Sequence, residues 1–514
     1  MSLGTCFKHP EDKIAIIGAG PAGLVAARWI LARGLHPVIF EASPRIGGQW
    51  NSTSSSSAVW PRMRTNTSRI MTAFSDLPHA AGTGTYVEQS AMLDYLERYA
   101  FTMGLLPHLR LKTRVERLER TGDDWLVQSN TEGRSQSDTF ARVIVATGRQ
   151  NQPEVPEIPG LEGFSGSLGV AHTAQYDGAE RYRGRSVLVA GCSISALEIA
   201  ADLALGGAAN VVTTNRRQRY ILPKMIAGVP TDHVMFNRAA VLLDGVLPPD
   251  VIAEAVTAKV LSVAGSPDQF GAPKPAGNAF VAGISQSQNY LPCVAEGRIS
   301  VMPWIESIDG RSVRFRDGAS HMFDAILFGT GFRLSLPWLS ENIGRQIGLD
   351  GHGADLHDFT FHPELPGLAF LGMFDLVGPT FPVLELQARW VAQCFGGVTP
   401  LPSHSEMQAG VERSRATNAG RGSFPMHVAA CLFARNAGVE PDAVIWPEIE
   451  RALLFGPLTP ASFRLQGLDA LATAPAAVAR AAAAFGAITS ERFSAEEDGV
   501  RTLLKRNTAS TTAA

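Results

Sequence analysis

The chain has 514 residues, of which 45% are hydrophobic and 18% are charged. This length accommodates two or three domains, and this balance excludes a disordered or fibrous protein. A formal net charge of −3 excludes long-range attraction to nucleic acid or to an anionic membrane surface, so a partner must be recognised at a local site.

The cysteines are scattered, with no CxxC pair and no metal-ligand spacing: Cys6, Cys192, Cys293, Cys394 and Cys431. We therefore expect reduced thiols in a cytoplasmic protein and no metal site. Residues 1–13 lack the apolar core of a secretory signal. The alanine-rich stretch 470–487 is interrupted by Pro475 and Arg480, so we interpret it as a surface helix and not as a membrane span.

The stretch from Lys13 to Glu41 predicts a strand, a glycine-rich turn, a helix and a second strand. Gly18, Gly20 and Gly23 form GxGxxG, which permits a tight bend, close approach of a pyrophosphate, and close packing of helix on strand. Glu41 ends the second strand, where a carboxylate accepts ribose hydroxyls and repels a 2′-phosphate. The stretch predicts bound FAD or NAD; the alternative is a glycine-rich turn without a ligand.

The next hundred residues contain fewer clear elements. A loop with Gly47 and Gly48 precedes the serine run 52–57. Residues 59–78 show neither helical nor strand periodicity of apolar residues, which is typical of a loop that lines an active site. We predict a helix at 92–103, meander strands at 109–117 and 125–128, and an apolar strand at 141–146. That strand ends in Thr147 and Gly148, where ligands of doubly wound sheets bind.

After a proline-rich linker at 150–163, the first pattern repeats. Residues 186–190 predict a strand, 196–205 a helix, and 211–215 a second strand. The turn between them is less regular than the first, because Ser193 and Ala196 stand where the first turn has glycines. The second strand is followed by Arg216 and Arg217, whose guanidinium groups match a phosphate. We therefore predict NADP(H) here; the alternative is a solvated basic loop.

The rest of the chain adds less chemistry. Residues 223–300 are poorly patterned apart from a helix near 251–263, and a hairpin with an Asp-Gly turn begins at Ser312. The apolar strand 325–328 ends in Gly329, Thr330 and Gly331, which echoes Thr147 and Gly148. We take this echo to mean that the chain returns to the first domain there. Residues 400–514 are expected to be helical.

The chain resembles the flavin-containing monooxygenases, a branch of the class B flavoprotein monooxygenases that includes the Baeyer–Villiger enzymes. The resemblance runs from Lys13 to Arg464 and includes the segments GAGPAGL, GGQW, RTNTSRIMTAFSDLP, GTGF, ELQARW and FGPL. It implies an α/β fold with two Rossmann-like dinucleotide-binding domains, for FAD and NADPH, the FAD domain being discontinuous. We expect the FAD domain at 1–160 and 323–400, the NADPH domain with an insertion at 161–322, and a C-terminal helical extension at 401–514.

The resemblance also implies site residues. The cofactor-binding set comprises Gly18, Gly20, Pro21, Ala22, Gly23, Glu41, Gly48, Gln49, Trp50, Thr65, Asn66, Thr147, Gly148, Gly191, Ser193, Ser195, Arg216, Arg217, Thr330 and Gly331. Asn66 is the expected catalytic residue near the flavin; its alternative is a turn asparagine bonded to its own backbone. Arg216 is the first choice for the 2′-phosphate, Arg217 the second, and Gly191 and Ser195 approach the pyrophosphate.

The chain departs from one sequence signature of the family. The residues that correspond to this signature are Phe164, Gly166, His172 and Tyr176. The interval from the glycine to the histidine is two residues longer in this chain than in the family. His172 is either the family's histidine at the domain junction or a loop histidine. We expect no C-terminal membrane anchor of the animal type, which makes a soluble bacterial-type member the better comparison.

The resemblance implies an enzyme that uses NADPH, FAD and O2, through a flavin C4a-hydroperoxide, to oxygenate nitrogen or sulfur of a small molecule. The alternatives are Baeyer–Villiger oxidation of ketones, a disulfide reductase, and a non-catalytic flavin-binding or redox-sensing protein. A disulfide reductase needs a close cysteine pair, which the sequence lacks. The oligomeric state is left open, a homodimer included.

Overall fold

The computed structural model describes residues 13–54 and 57–512, with side chains described as far as residue 505. Cys6 and the N-terminal segment that we interpreted as lacking a signal lie outside these residues. The chain divides into two compact units.

Most of the strands are short: β1 (Lys13–Ile17), β2 (His36–Phe40), β3 (Leu109–Arg110), β4 (Thr113–Thr121), β5 (Asp124–Thr131), β6 (Arg134–Phe140), β7 (Arg142–Val145), β8 (Gln152–Pro153), β9 (Gly169–His172), β10 (Ser186–Ala190), β11 (Asn210–Thr214), β12 (Tyr220–Leu222), β13 (Met225–Ile226), β14 (Val229–Pro230), β15 (Ile284–Gln286), β16 (Ile299–Met302), β17 (Ile305–Asp309), β18 (Ser312–Phe315), β19 (Ser320–Met322), β20 (Ala325–Phe328), β21 (Phe332–Arg333), β22 (Leu368–Phe370), β23 (Asp375–Val377) and β24 (Ser423–Pro425).

The α-helices are α1 (Pro21–Ala32), α2 (Gln89–Thr102), α3 (Ile194–Leu205), α4 (Thr231–Met235), α5 (Arg238–Asp244), α6 (Pro249–Ala264), α7 (Ala279–Ala282), α8 (Tyr290–Ala295), α9 (Glu341–Gln346), α10 (Phe381–Phe395), α11 (His404–Thr417), α12 (Met426–Asn436), α13 (Glu450–Phe455), α14 (Ala474–Ala483) and α15 (Ala495–Thr512). The elements predicted at 92–103, 186–190, 251–263 and 325–328 are confirmed within a few residues. The alanine-rich stretch is helical only at α14, a shorter span than we predicted.

The first unit contains residues through Ser57, then Ser68–Gln152 and Arg333–Ala482. Its five-stranded parallel sheet has the order β22-β7-β1-β2-β3. Strands such as β1 are apolar on both faces because helices and the antiparallel meander β4-β5-β6 cover the sheet. The pairing of Ile17 with Phe40 and with Val145 aligns the carboxyl ends of β1, β2 and β7.

The second unit contains Ala58–Thr67, Pro153–Phe332 and the chain from Ala483. Its parallel sheet has the order β16-β11-β10-β20-β9, and an antiparallel meander, β17-β18-β19, again accompanies it. The pairing of Ala190 with Thr214 and with Phe328 aligns the carboxyl ends of β10, β11 and β20. The two-sheet α/β fold class predicted from the sequence is confirmed.

Three predicted domain assignments are wrong. Strand β20 pairs with β10 and β9 in the second sheet, so the chain returns to the first unit at Arg333 and not at 323. The segment 58–67 belongs to the second unit, where Trp60 packs edge-on against Tyr176 with ring centroids 5.6 Å apart. The C-terminal region is divided, since residues 401–482 belong to the first unit and those from 483 to the second. An apolar strand carries no local signal of which sheet it joins.

Candidate cofactor sites

The first glycine turn of the first unit is closed by backbone contacts that exclude side chains. Gly18 has φ +105°, and a Cβ there would lie 2.6 Å from the Ala146 carbonyl oxygen. A Cβ on Gly23 would lie 1.9 Å from the Gly18 carbonyl oxygen. Both positions therefore require glycine, as the spacing of the turn predicts.

Gly20 and Gly48 form a second close approach beside this turn. A Cβ on Gly48 would lie 2.9 Å from the Gly20 Cα atom, and one on Gly20 would lie 3.4 Å from the Gly48 Cα atom. Gly48 begins a 3₁₀ turn that ends at Trp50, whose indole is 6% exposed. The buried Gln89 amide donates to the Trp50 carbonyl at 2.6 Å. Sequence reasoning missed Gln89, which carries no motif.

The remaining residues of this segment differ in exposure. Pro21 occupies the first turn of α1, where its missing N–H costs nothing, and Ala22 is half-buried. Gln49 is exposed, so its side chain takes no part in the packing of the turn. A cofactor contact of Gln49 therefore remains a prediction.

Glu41 is 8% exposed and is held by two backbone donors. The Ala19 N–H donates to Oε2 at 2.9 Å and the Ser43 N–H to Oε1 at 2.8 Å. A carboxylate has about four acceptor positions, so two bonds leave capacity for ribose hydroxyls. Glu41 thus also stabilises the glycine turn through Ala19.

The start of α1 fits an anion. Its N-cap is Gly20, which provides no side-chain cap, and its first turn carries no acidic residue. The free N–H groups of a helix start and its dipole both favour a phosphate group. At the end of the neighbouring strand, the buried Thr147 Oγ1 has no hydrogen-bond partner among the described residues. Gly148 follows with φ +72° and is exposed. These features fit a pyrophosphate group.

The second unit repeats the turn with different residues. Gly191 has φ +137°, and a Cβ there would lie 2.4 Å from the Gly329 carbonyl oxygen. The Ser193 hydroxyl donates to that same carbonyl at 3.0 Å. A Cβ on Gly329 would lie 2.7 Å from the Ala196 Cβ atom, so glycine on the strand makes room for alanine on the helix. The replacement of the third glycine is thereby accommodated.

The start of α3 also lacks a cap. Its N-cap, Ser193, makes no capping hydrogen bond because its hydroxyl is bonded to Gly329, and no acidic residue lies in the first turn. Ser195 is exposed in that first turn. The free N–H groups and the helix dipole again fit a pyrophosphate group.

The two arginines after β11 are both exposed but differently engaged. The Arg216 guanidinium lies 5.2 Å from the ring centroid of Trp304, which is 8% exposed. The Arg217 guanidinium donates to the Val281 carbonyl at 3.0 Å. In the described part of the chain no carboxylate pairs with Arg216, so its charge is available to a phosphate. Trp304 was not predicted from the sequence.

Thr330 and Gly331 belong to the second unit and not to the first. They follow β20 as Thr147 and Gly148 follow β7, which explains the echo between the two stretches. The Thr330 hydroxyl donates to the Glu154 carbonyl, and the Glu154 N–H donates to the Gly331 carbonyl at 3.0 Å. These bonds tie the end of β20 to the linker.

Thr65 and Asn66 lie in the second unit. The Thr65 hydroxyl donates to the Thr67 carbonyl at 2.8 Å, and Thr65 is 3% exposed. Asn66 is half-buried, and its amide makes no hydrogen bond with any described residue, so it does not form the turn contact of the alternative interpretation. Its amide is available to a ligand.

His172 has a structural contact at the end of β9. Its Nδ1 accepts from the Ala174 N–H at 3.1 Å, while its own N–H donates to the Gln175 side chain at 3.1 Å. The ring packs edge-on against Phe332 with centroids 4.9 Å apart. Burial lowers the pKa of His172, so the ring is neutral at pH 7. These contacts give it the role of a helix cap.

Comparison with known proteins identifies the chain's relatives. The family model described as "FMO-like: Flavin-binding monooxygenase-like" matches residues 11–484. Flavin-containing monooxygenase 5 of Cavia porcellus is 29% identical over 484 residues, covering 89% of each chain. The structure of S-allyl-L-cysteine S-oxygenase from Allium sativum superposes with a TM-score of 0.61 at 25% identity, covering 83% of this chain and 88% of that one.

A third likeness concerns the fold alone. The open structure of cyclohexanone monooxygenase superposes with a TM-score of 0.62 at 17% identity, covering 83% of this chain and 97% of that one. Across residues 13–54 and 57–512, no helix combines the length and apolarity needed to cross a membrane. With the family model matching nearly the whole chain, the protein belongs to the flavin-binding monooxygenase-like family and is a monooxygenase that uses FAD and NADPH.

Proposed function

We propose that this protein oxygenates a nitrogen or sulfur atom of a small molecule, with NADPH as reductant and O2 as oxidant. The observation that carries the proposal is the contrast between two duplicated turns, one closed by Glu41 and the other followed by Arg216. A carboxylate repels a 2′-phosphate and a guanidinium binds it. The two units therefore select different dinucleotides, as an NADPH-dependent flavoprotein requires.

In the first unit, we assign FAD to the turn at the end of β1. The start of α1 and the Gly20–Gly48 approach would hold its pyrophosphate, and Glu41 its ribose. Thr147 Oγ1, buried and without a partner among the described residues, would donate to the cofactor. Each of these contacts uses a group that the fold leaves available.

In the second unit, we assign NADPH to the turn at the end of β10. The start of α3, with Gly191 and the exposed Ser195, would hold the pyrophosphate. Arg216 would bind the 2′-phosphate, because Trp304 supports its guanidinium without neutralising it. Arg217 is the second choice, since the Val281 carbonyl already occupies one of its donors.

Bound FAD supplies the redox chemistry and the activation of O2, while the chain supplies binding, orientation and exclusion of water. Asn66 offers both a donor and an acceptor, and its amide is half-buried without a partner among the described residues. We assign to Asn66 the role of orienting the coenzyme or the substrate through hydrogen bonds. No protonating side chain is needed for that role.

The preference for a nitrogen or sulfur substrate is supported by the relatives. The Allium sativum enzyme at 25% identity is named as an S-oxygenase, and a Rattus norvegicus relative at 29% identity is named as an N-oxide-forming dimethylaniline monooxygenase. The likeness to cyclohexanone monooxygenase, at 17% identity, extends to the fold only. Baeyer–Villiger oxidation is therefore the second candidate and the main competing outcome of the test.

To test the proposal, the purified FAD-loaded protein is incubated with NADPH and ¹⁸O2. A thioether, a tertiary amine and a cyclic ketone are offered as substrates in separate reactions. We expect a sulfoxide or an N-oxide that carries one ¹⁸O atom, detected by mass spectrometry. Reactions without NADPH are the control. A lactone as the only oxygenated product, or hydrogen peroxide without any oxygenated product, would contradict the proposal.

We also propose a cytoplasmic location. Cys192, Cys293 and Cys394 are buried cysteines outside any disulfide bond, and reduced thiols are typical of that compartment. Fractionation of the native host is the test, and recovery with the secreted proteins would contradict the proposal.

A further inference from the structure

A short helix of the insertion lies beside the arginine pair of the second unit. The Arg217 guanidinium donates to the Val281 carbonyl in α7 at 3.0 Å, and the Tyr220 N–H donates to the Gly283 carbonyl at 3.0 Å. These bonds attach α7 to the loop that follows β11. Arg217 is therefore a direct neighbour of this helix, and Arg216 precedes it in the chain.

Helix α7 presents two large apolar side chains to solvent. Phe280 is 57% exposed and Val281 is 58% exposed, whereas Ala279 and Ala282 are 1% and 0% exposed. The two alanines pack with Tyr220 and neighbouring apolar residues in one core cluster. The helix thus directs its small residues inward and its large ones outward, the reverse of what burial alone favours.

The exposure of Phe280 does not come from a loosely held segment. The Asn278 side chain accepts from the Phe280 and Val281 N–H groups at 3.1 and 3.0 Å. The Ala279 N–H donates to the Thr257 hydroxyl at 2.9 Å, and the Tyr220 hydroxyl donates to the Gly277 carbonyl at 2.9 Å. Both ends of α7 are anchored, so the exposed pair is held in place before any ligand binds.

We propose that Phe280, together with Val281, forms the apolar wall against which the adenine ring of NADPH packs. The inference rests on the proposed binding of the 2′-phosphate by Arg216. Adenine and the 2′-phosphate are attached to neighbouring atoms of one ribose, so a group next to the arginine pair is within reach of the base. An aromatic side chain stacks on any base through its flat apolar surface.

Arg217 has a distinct role in this arrangement. Its bond to the Val281 carbonyl sets the distance between the phosphate-binding charge and the apolar wall. Phe280 then contributes affinity for both nicotinamide coenzymes, because both contain adenine. Arg216 contributes affinity only for the phosphorylated one. Substitutions of Phe280 and Arg216 should therefore change the affinities for NADPH and NADH in different ways.

The test measures binding of adenosine 2′,5′-bisphosphate to the FAD-loaded protein by isothermal titration calorimetry. This probe contains adenine and the 2′-phosphate but no nicotinamide. We expect Phe280→Ala to weaken its binding about tenfold and Phe280→Tyr to retain the wild-type affinity. The matched control is Leu205→Ala, because Leu205 is also 57% exposed but lies at the opposite end of α3 from the nucleotide turn.

Steady-state kinetics then separate this inference from the proposed function. Phe280→Ala should raise KM about tenfold for NADPH and for NADH alike, whereas Arg216→Ala should raise it about 10- to 100-fold for NADPH alone. If Phe280→Ala binds the probe as tightly as Leu205→Ala does, the adenine wall is wrong while the phosphate site stands. If Arg216→Ala and Arg217→Ala both leave the coenzyme preference unchanged, the phosphate site and the wall are both wrong.

Discussion

Small side chains at two former glycine positions, Ser193 and Ala196, distinguish the second glycine turn from the first. In the first unit the helix has Gly23 and the neighbouring strand is followed by Ala146; in the second the helix has Ala196 and the strand is followed by Gly329. A methyl on Gly23 would strike a carbonyl oxygen at 1.9 Å, yet Ala196 is accommodated because Gly329 carries no side chain. The irregular second turn is therefore a repacked version of the first.

We predict that Gly23→Ala disrupts the first turn. The new methyl would overlap the Gly18 carbonyl, and overpacking of this kind costs about 1–3 kcal/mol. The purified variant should contain at least about tenfold less flavin per protein, measured from its absorption spectrum.

Gly163→Ala is the control for this prediction. Gly163 lies in a 3₁₀ turn of the second unit, and an added Cβ there meets no atom within 4 Å. Equal flavin content in the two variants would show that the close contact at Gly23 does not matter for cofactor binding.

At the level of elements, helix α10 is unusual because every residue from Phe381 to Phe395 is buried. It packs against α1 and α12. A helix buried on all sides is normally apolar, but this one contains Glu385, Gln387 and Arg389. Buried charges of this kind must be paired.

The pairing is provided by an ionic cluster around Trp29 in the first unit. The Ser75 N–H donates to Glu385 at 2.7 Å, and Arg464 Nη1 donates to Asp76 at 2.9 Å. The guanidinium carbons of Arg389 and Arg464 lie 4.9 and 5.1 Å from the Trp29 ring centroid. The segments ELQARW and RLQGLD thereby fasten the C-terminal part of the unit to α1, a structural role that leaves no catalytic one to assign.

We predict that Arg464→Met lowers the free energy of unfolding by about 3–5 kcal/mol, because it removes the ion-pair partner of the buried Glu385 and leaves Arg28 as the remaining partner of Asp76. Arg45→Met should cost less than about 1 kcal/mol, because the Arg45–Glu97 pair is exposed. Urea unfolding followed by circular dichroism measures both. Losses of similar size would mean that the buried cluster stabilises no more than a surface pair.

On the scale of the whole chain, one architecture occurs twice. Each unit has a central strand with a glycine turn. On one side lies a strand followed by Glu41 or by Arg216 and Arg217, and on the other a strand followed closely by Thr147-Gly148 or by Gly329-Thr330-Gly331. Each also carries a three-stranded antiparallel meander. This duplication explains why Thr147-Gly148 and Thr330-Gly331 look alike although they belong to different sheets.

The dependence of folding stability on pH is expected for the whole chain, and one largely buried histidine should contribute to it. Burial lowers the pKa of His427 in α12 to about 4, against 6.5 for an exposed histidine. A depressed pKa means that the neutral form is favoured by folding, so this stability is complete above pH 6.5 and is lost as the pH falls towards 4.

We predict that lowering the pH from 7 to 5 destabilises the wild-type protein by about 2 kcal/mol more than His427→Gln. Urea unfolding at the two pH values measures the difference. His404→Gln is the control, since the His404 side chain is 67% exposed beside Glu364. Identical pH dependence of wild type and His427→Gln would contradict the prediction.

Much of the fold could be read from local patterns. The strand–turn–helix units, the acid after one and the arginines after the other, and the apolar strands before Thr147 and Gly329 all follow from residue spacing and backbone chemistry within about 30 residues. These features act locally, so the sequence alone was sufficient to predict the fold class and the position of the two glycine turns.

Other features depended on contacts between distant parts of the chain. The sheet that contains β20, the unit that contains Asn66, the support of Arg216 by Trp304 and the proximity of Phe280 to Arg217 involve pairs separated by tens to hundreds of residues. An apolar strand is compatible with either sheet, and an exposed phenylalanine has no periodic signal. Only the packing of the folded chain, which selects one partner among many of similar hydrophobicity, decided them.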